Sequence, residues 1–147
     1  MAFEPGSAYV LGPDGLSALF QALLDSGHTV VAPTARDGVI TLGEAGSAAE
    51  LPAGKTDEQA PALYRLRERG DDALFGHAAG PDAPKRWLHP PAFLRFRAHR
   101  ERTGFRLEKG GAAAPRYAFL GIKPCDLAAI DRQDRVLVGG AYAEPAY

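Results

Sequence analysis

The residues best placed to do chemistry lie in one stretch, Gly121-Ile122-Lys123-Pro124-Cys125-Asp126-Leu127-Ala128-Ala129-Ile130, which holds the only cysteine among 147 residues. An apolar run over 117–122 precedes it, and an Asp-led amphipathic segment follows the Gly/Pro turn. That order predicts strand, turn, helix. Such a unit delivers a thiol and a carboxylate to the carboxyl end of a strand and the N-terminus of a helix, where ligands and metals are commonly held. A thiol there, beside Lys123, meets two features that favour the thiolate, the form that binds iron or attacks an electrophile. The competing reading makes Cys125 a small buried residue packing the turn. Asp126 reads either as a helix cap or as a contact to a cofactor.

Other candidates are more scattered. Arg65, Lys85, Arg86 and His89 could form an anion or partner contact, for a nucleotide phosphate or carboxylates, or simply a solvated basic face. His28, His77 and His99 lack the i, i+4 spacing of a metal pair on a helix, and read as surface or cap residues. Trp87, Phe93 and Phe96 read as core, or as one side of a docking surface. The glycine-rich tracts at 43–54 and 110–114 match neither a P-loop nor a G-x-G-x-x-G fingerprint between strand and helix. No Ser/His/Asp arrangement for nucleophilic catalysis is suggested.

The elements that must position these residues follow from periodicity. Leu16, Leu19, Phe20, Leu23 and Leu24 repeat at helical spacing, predicting a helix near 15–26 with Asp14 as its cap and Gly27 as its stop. Residues 29–33 read as a strand, Asp37-Gly38 as a tight turn, and 39–42 as the returning strand. The tract 43–60 is small and polar and reads as a surface loop. Short strands are expected at 63–66 and 73–76, divided by a charged turn over 67–72. A loop covers 80–84, and the Pro90-Pro91 pair ends whatever precedes it. The segment around Leu94 and Phe96 fits helix or strand equally. A strand over 105–108, a loop over 110–115 and a well-buried strand over 117–122 come next. A second helix spans 125–134 with Leu127 and Ile130 inward, and a short strand covers 136–138. The expected fold is therefore α/β (α+β), with a mixed, partly antiparallel sheet and two main helices.

Bulk composition narrows the function classes. The apolar fraction of 46% and charged fraction of 24% are those of an ordinary globular domain, here taken as one unit over 1–138 with a linker over 139–147. A net charge of -1 and a pI near 6.4 give no electrostatic case for nucleic acid or an anionic membrane. A single cysteine excludes an internal disulfide framework. The opening Met1-Ala2-Phe3-Glu4-Pro5-Gly6 lacks a signal-peptide pattern, and no apolar run reaches the ~20 residues that span a bilayer. A cytoplasmic location without membrane insertion is the expectation.

Taken in order, the pieces Gly27-His28-Thr29-Val30-Val31-Ala32-Pro33, Asp37-Gly38-Val39-Ile40, Leu51-Pro52-Ala53-Gly54, Tyr64-Arg65-Leu66, Leu74-Phe75-Gly76, Gly80-Pro81, Lys85-Arg86-Trp87-Leu88-His89-Pro90-Pro91 and Phe119-Leu120-Gly121-Ile122-Lys123-Pro124-Cys125-Asp126 carry a resemblance. They resemble the N-terminal region of dicluster ferredoxin-type iron–sulfur subunits, such as the beta subunit of cytoplasmic sulfhydrogenases and the A subunit of anaerobic sulfite reductase. Family members usually have a serine and an extra tryptophan where this chain has Asp82-Ala83-Pro84. They also continue into further cysteines and two C-x2-C-x2-C-x3-C-P repeats, which this sequence does not include.

The resemblance implies an N-terminal scaffold and docking domain, cut short, of an electron-transfer subunit in a hydrogenase or sulfur/sulfite reductase type of enzyme. A [4Fe-4S] cluster takes about four thiolates. Cys125 would supply one and a missing C-terminal ferredoxin-type domain the rest, with Asp126 close by, so the chain alone is expected to bind no cluster and to catalyse nothing alone. Flavin- or metal-containing subunits are the implied partners. Two rivals stand beside this: a stand-alone redox sensor or small enzyme with Cys125 as nucleophile, and a non-catalytic interaction domain.

Overall fold

The computed structural model describes residues 6–78, 80, 82–92, 94–110, 115–143 and 147. Pro13 opens helix α1 (Pro13–Asp25), at the position where a missing N–H costs nothing and a fixed φ is already helical. Gly12 is consequently the N-cap, and Asp14, expected to cap the helix, sits in its first turn, where its charge still complements the dipole. Gly27 takes a left-handed φ of 78°, which lets the N–H of His28 reach back to the Leu23 carbonyl at 3.1 Å and ends the helix.

The chain then enters β1 (Thr29–Arg36), the central strand of a mixed three-stranded sheet. Strand β2 (Val39–Glu44) returns antiparallel to it through Asp37-Gly38, whose φ values of 51° and 76° match the twist of a two-residue hairpin turn. Residues Tyr117–Phe119 add the last strand of the chain parallel to β1 on its other edge, with Thr29 opposite Tyr117 and Val31 opposite Phe119. Val30 and Ala32 point to one face and join Phe20, Ala45 and Leu51 in the core, with Leu16, Leu23, Leu24, Leu74 and Leu120 packed round them. The expected α+β class and mixed sheet are both present.

Between β2 and that last strand lie two hairpins. Strands β3 (Lys55–Ala60) and β4 (Leu63–Glu68) pair across Pro61-Ala62, with Ala62 at φ 58°. The tract 43–60 is thus not a plain loop: it holds a 3-10 turn at Ala48–Glu50 as well as β3. Strand β3 has no apolar alternation to announce it, and it is tied to β4 by Lys55–Glu68 at 2.6 Å at its start and Arg67–Glu58 at 2.5 Å within it. Residues 73–76 form no strand. Arg69 grips Asp71 with two bonds of 2.6 Å and reaches the Gly76 carbonyl at 3.1 Å, so this segment wraps round a guanidinium instead of pairing with β4. The Arg69 hydrogen bond, helped by the Ala73 N–H, holds the Asp71 carboxyl down at about 2, and Asp71 in turn raises Arg69.

A single helical turn, α2 (Lys85–Leu88), precedes the second hairpin, β5 (Phe96–Glu101) and β6 (Gly104–Lys109). Strand resolves the ambiguity at Phe96. The pairing places Phe96, Ala98, Phe105 and Leu107 on one face of this hairpin, and Phe96, Phe105 and Leu107 are 61%, 70% and 68% exposed. Phe96 is therefore not core. Phe93, Pro81, most of the 110–115 loop, residues 144–146 and the opening 1–5 lie outside the described residues.

The chain's last strand, numbered β7 (Tyr117–Phe119), is shorter than expected and only half-buried. Helix α3 (Pro124–Leu137) is longer than expected and takes in Val136 and Leu137, read from sequence as a strand. An Asp131–Arg135 pair at 2.7 Å supports its last turns, and the N–H groups of Val138 and Gly139 both close on the Asp134 carbonyl. Leu127, expected inward, is 56% exposed, and Ile130 is half-buried.

Candidate functional site

The strand–turn–helix unit read from the sequence is present, and packing dictates its turn. Leu120 donates to the Val31 carbonyl at 2.9 Å, holding the chain on β1 beyond β7. Gly121 then turns at φ 69°; a Cβ there would lie 2.4 Å from the Phe75 ring and 3.2 Å from the Pro33 ring. Only glycine satisfies both demands. Lys123 is the N-cap of α3, Pro124 opens it, and Cys125 and Asp126 occupy its first turn.

A small cleft of about 30 Å³ opens where this turn meets β1 and β2. Pro33, Ile40, Leu42 and Ile122 give it apolar walls, and its polar side chains are Thr41, His77, Asp82, Lys123 and Asp126. Separate stretches are pinned to build it. The Tyr64 hydroxyl accepts from the Ile40 N–H at 3.0 Å, covering the edge of β2. Gly80 abuts the Ile40 carbonyl so closely that a Cβ would meet it at 2.5 Å. Thr41 donates to the Asp82 carboxylate, which also holds Arg86 at 2.9 Å. The Lys123 ammonium donates to the His77 carbonyl at 2.7 Å, tying α3 to the 77–82 segment.

Cys125 is exposed and does not line the cleft, whereas Asp126 is half-buried and does. The alternative of Cys125 as a buried packing residue is thereby overturned: the turn is packed by Gly121 and Phe75. The basic candidates are held separately. Arg65 lies on β4 opposite Glu58, while Lys85, Arg86 and His89 belong to α2 and its end. Arg86 is neutralised by Asp82 and lies 5.4 Å from the Trp87 ring centre. Among the described residues, no hydrogen bond or ion pair joins Arg65 to α2.

His28 accepts or donates with Ser26 at 2.8 Å beyond α1, as a cap residue should, and His99 pairs with Glu108 at 2.9 Å on the second hairpin. His77 departs from expectation. It is only 9% exposed, its Nδ1 lies 2.9 Å from the Ala78 carbonyl, and its Nε2 is buried without a partner among the described residues. Trp87 is half-buried and packs edge-on against Tyr117 with ring centres 5.6 Å apart, so it seats α2 on β7. Sequence reasoning missed Thr41, His77 and Asp82. Only Asp82 carried a signal, as the acid standing just before the basic turn at Lys85-Arg86.

No family model, curated protein or solved structure matches the chain.

Among the described residues, no three His, Cys, Asp or Glu side chains gather as a metal-holding group. The chain has one thiol, and a cubane cluster takes about four. It does not supply such a set by itself, and every remaining ligand would have to come from outside it. What the arrangement offers is an exposed thiol on the positive end of a 14-residue helix, next to a polar cleft with apolar walls. The far end of that helix is fastened as well: the Tyr147 hydroxyl donates to Asp134 at 2.5 Å, and burial, then this bond, pushes the phenol up to about 12. No described helix is long and apolar enough to cross a membrane.

Proposed function

We propose that the chain is a docking domain of an iron–sulfur electron-transfer subunit, within a redox enzyme of the hydrogenase or sulfur/sulfite reductase type. On this reading Cys125 contributes one thiolate to a [4Fe-4S] cluster whose other ligands lie on a ferredoxin-type segment of the same polypeptide. When bound, such a cluster supplies one-electron transfer; the residues of this chain position and shield it, and break no bonds. Flavin- or metal-containing subunits would be its electron partners.

The observation that carries the reading is the exposure of Cys125 at the head of α3. A thiol kept only for packing has no reason to face solvent there. Support also comes from the meeting of motif pieces, since Phe75 and Pro33 pack on Gly121 in the turn that presents it, and Ile40 and Gly80 line the cleft beside that turn. The coding sequence beyond Tyr147 tests the proposal. Repeats of the C-x2-C-x2-C-x3-C type in that frame are expected, and a stop codon directly after Tyr147 would overturn it.

A second reading, a non-catalytic module that binds only a partner protein, is favoured by the exposed apolar face of the β5–β6 hairpin. Binding of a purified partner subunit that survives Cys125→Ala but fails with Phe105→Ser would favour it.

A further inference from the structure

Strands β5 and β6 pair only with each other, and a lone two-stranded hairpin is marginal in water until a helix or further strands support it. Residues directly opposite in an antiparallel pair share a face, so the register fixes what this face presents. From base to tip it carries Phe96 beside Lys109, Ala98 beside Leu107, and Arg100 beside Phe105. The exposed Phe96, Leu107 and Phe105 thus run diagonally across it, with a cation at each of the two remaining corners.

The two faces of the hairpin differ in charge. On the other side Glu108 holds His99 at 2.9 Å and Glu101 holds Arg106 at 3.1 Å. The apolar side has no acid, and among the described residues Arg100 and Lys109 have no hydrogen bond or ion pair. Whatever covers this face must bring apolar side chains to the diagonal and a carboxylate to either flank. A strand added at the hairpin's edge would pair backbone groups and leave the three apolar side chains in water. A second copy stacked face to face would bring four cations together. This chain's own helices do not fit either. Helix α1 turns Phe20 and its leucines onto its own sheet, and on α3 Asp131 is held by Arg135 and Asp134 by Tyr147. Only two cations stand on the face and the chain outside the hairpin is net acidic, which disfavours an anionic membrane.

We infer that this face docks an acidic amphipathic helix of a partner protein. The diagonal is about 14 Å long, from four residues at about 3.3 Å along the strands and one strand spacing across. At about 1.5 Å per residue it is matched by apolar side chains at i, i+4 and i+8 of a helix, with Glu or Asp on both flanks. The inference rests on the reading of the chain as a docking domain and not on the thiolate role of Cys125, so its failure leaves the cluster assignment standing.

Fluorescence anisotropy of the 147-residue chain with labelled synthetic peptides tests it. The first peptide is an alanine-based helix of about 20 residues with Leu at i, i+4 and i+8 flanked by Glu. The second has Lys for each Glu, and the third has a proline at the centre of the first. The Glu–Leu peptide is expected to bind in the range of tens of micromolar, and the other two at least about tenfold more weakly. The double variant Arg100→Glu, Lys109→Glu, altered only at exposed positions, should keep the amide signals of β1 and reverse the order, so that the Lys–Leu peptide binds best. Phe105→Ser should weaken the Glu–Leu peptide about tenfold. Phosphatidylserine vesicles and sedimentation of the chain alone report on a membrane and on a second copy. No saturable binding of the Glu–Leu peptide, whether or not vesicles hold the chain, would overturn the inference. So would equal binding of the Glu and Lys peptides, an order unchanged by the double reversal, binding that survives the central proline, or a dimer that Phe105→Ser dissolves.

Discussion

Helices α1 and α3 have 13 and 14 residues, and both open on a proline in the first turn, yet α1 buries Phe20 completely while α3 buries no side chain. The two serve different ends of one sheet. Helix α1 closes a core over Val30 and Ala32. Helix α3 is fixed by its first turn at the cleft and by Tyr147 near its end, and leaves Leu127 and Val136 56% and 74% exposed. Burial is thus concentrated on the α1 side, and exposed apolar side chains on the α3 side.

Substitutions should break this contrast most sharply in the core. Phe20→Ala should cost about 3–5 kcal/mol in urea unfolding, whereas Leu127→Ala should stay within about 0.5 kcal/mol. The hinge between the two regions comes next. Gly121→Ala forces a left-handed alanine into the Phe75 ring and should cost about 1–3 kcal/mol, and the amide signals of the first turn of α3 should shift more than those of α1.

Titration sharpens the comparison from both directions. Because Asp71 is held at about 2, below its ordinary 3.8, its contribution is present above pH 3.8 and is lost as pH falls through 2. The acid limb of stability against pH should flatten in Asp71→Asn. Tyr147, pushed from 10.0 up to about 12, contributes below pH 10.0 and loses that contribution as pH rises through 12, so Tyr147→Phe should remove the corresponding alkaline slope. Hydrogen exchange should place the alkaline loss in α3 and leave α1 protected. The smallest effect is expected at Cys125 itself, where Cys125→Ser should change stability by less than about 0.5 kcal/mol.

What was legible in the sequence followed the burial of side chains. The leucine spacing of α1, the Asp37-Gly38 turn and the Gly121–Asp126 turn into α3 were readable, because apolar periodicity or a conformational demand specifies each. Strand β3 was not, since polar residues form it and ion pairs with β4 hold it. The extension of α3 through Val136 was hidden because that residue's β propensity was outweighed by the helical ladder and the Asp131–Arg135 pair. Cys125 and Asp126 could be found from their place in the turn. His77 could not: its burial depends on Lys123 and on β2, 46 and about 37 residues away in the chain, and no local pattern encodes that meeting.

Iron and acid-labile sulfide per polypeptide, measured on the anaerobically purified full-length protein and on its Cys125→Ala variant, test the central claim most directly. The account expects the variant to fold normally and to lose about four iron atoms with their sulfide, one cluster's worth. Unchanged iron and sulfide in a folded Cys125→Ala protein would contradict it.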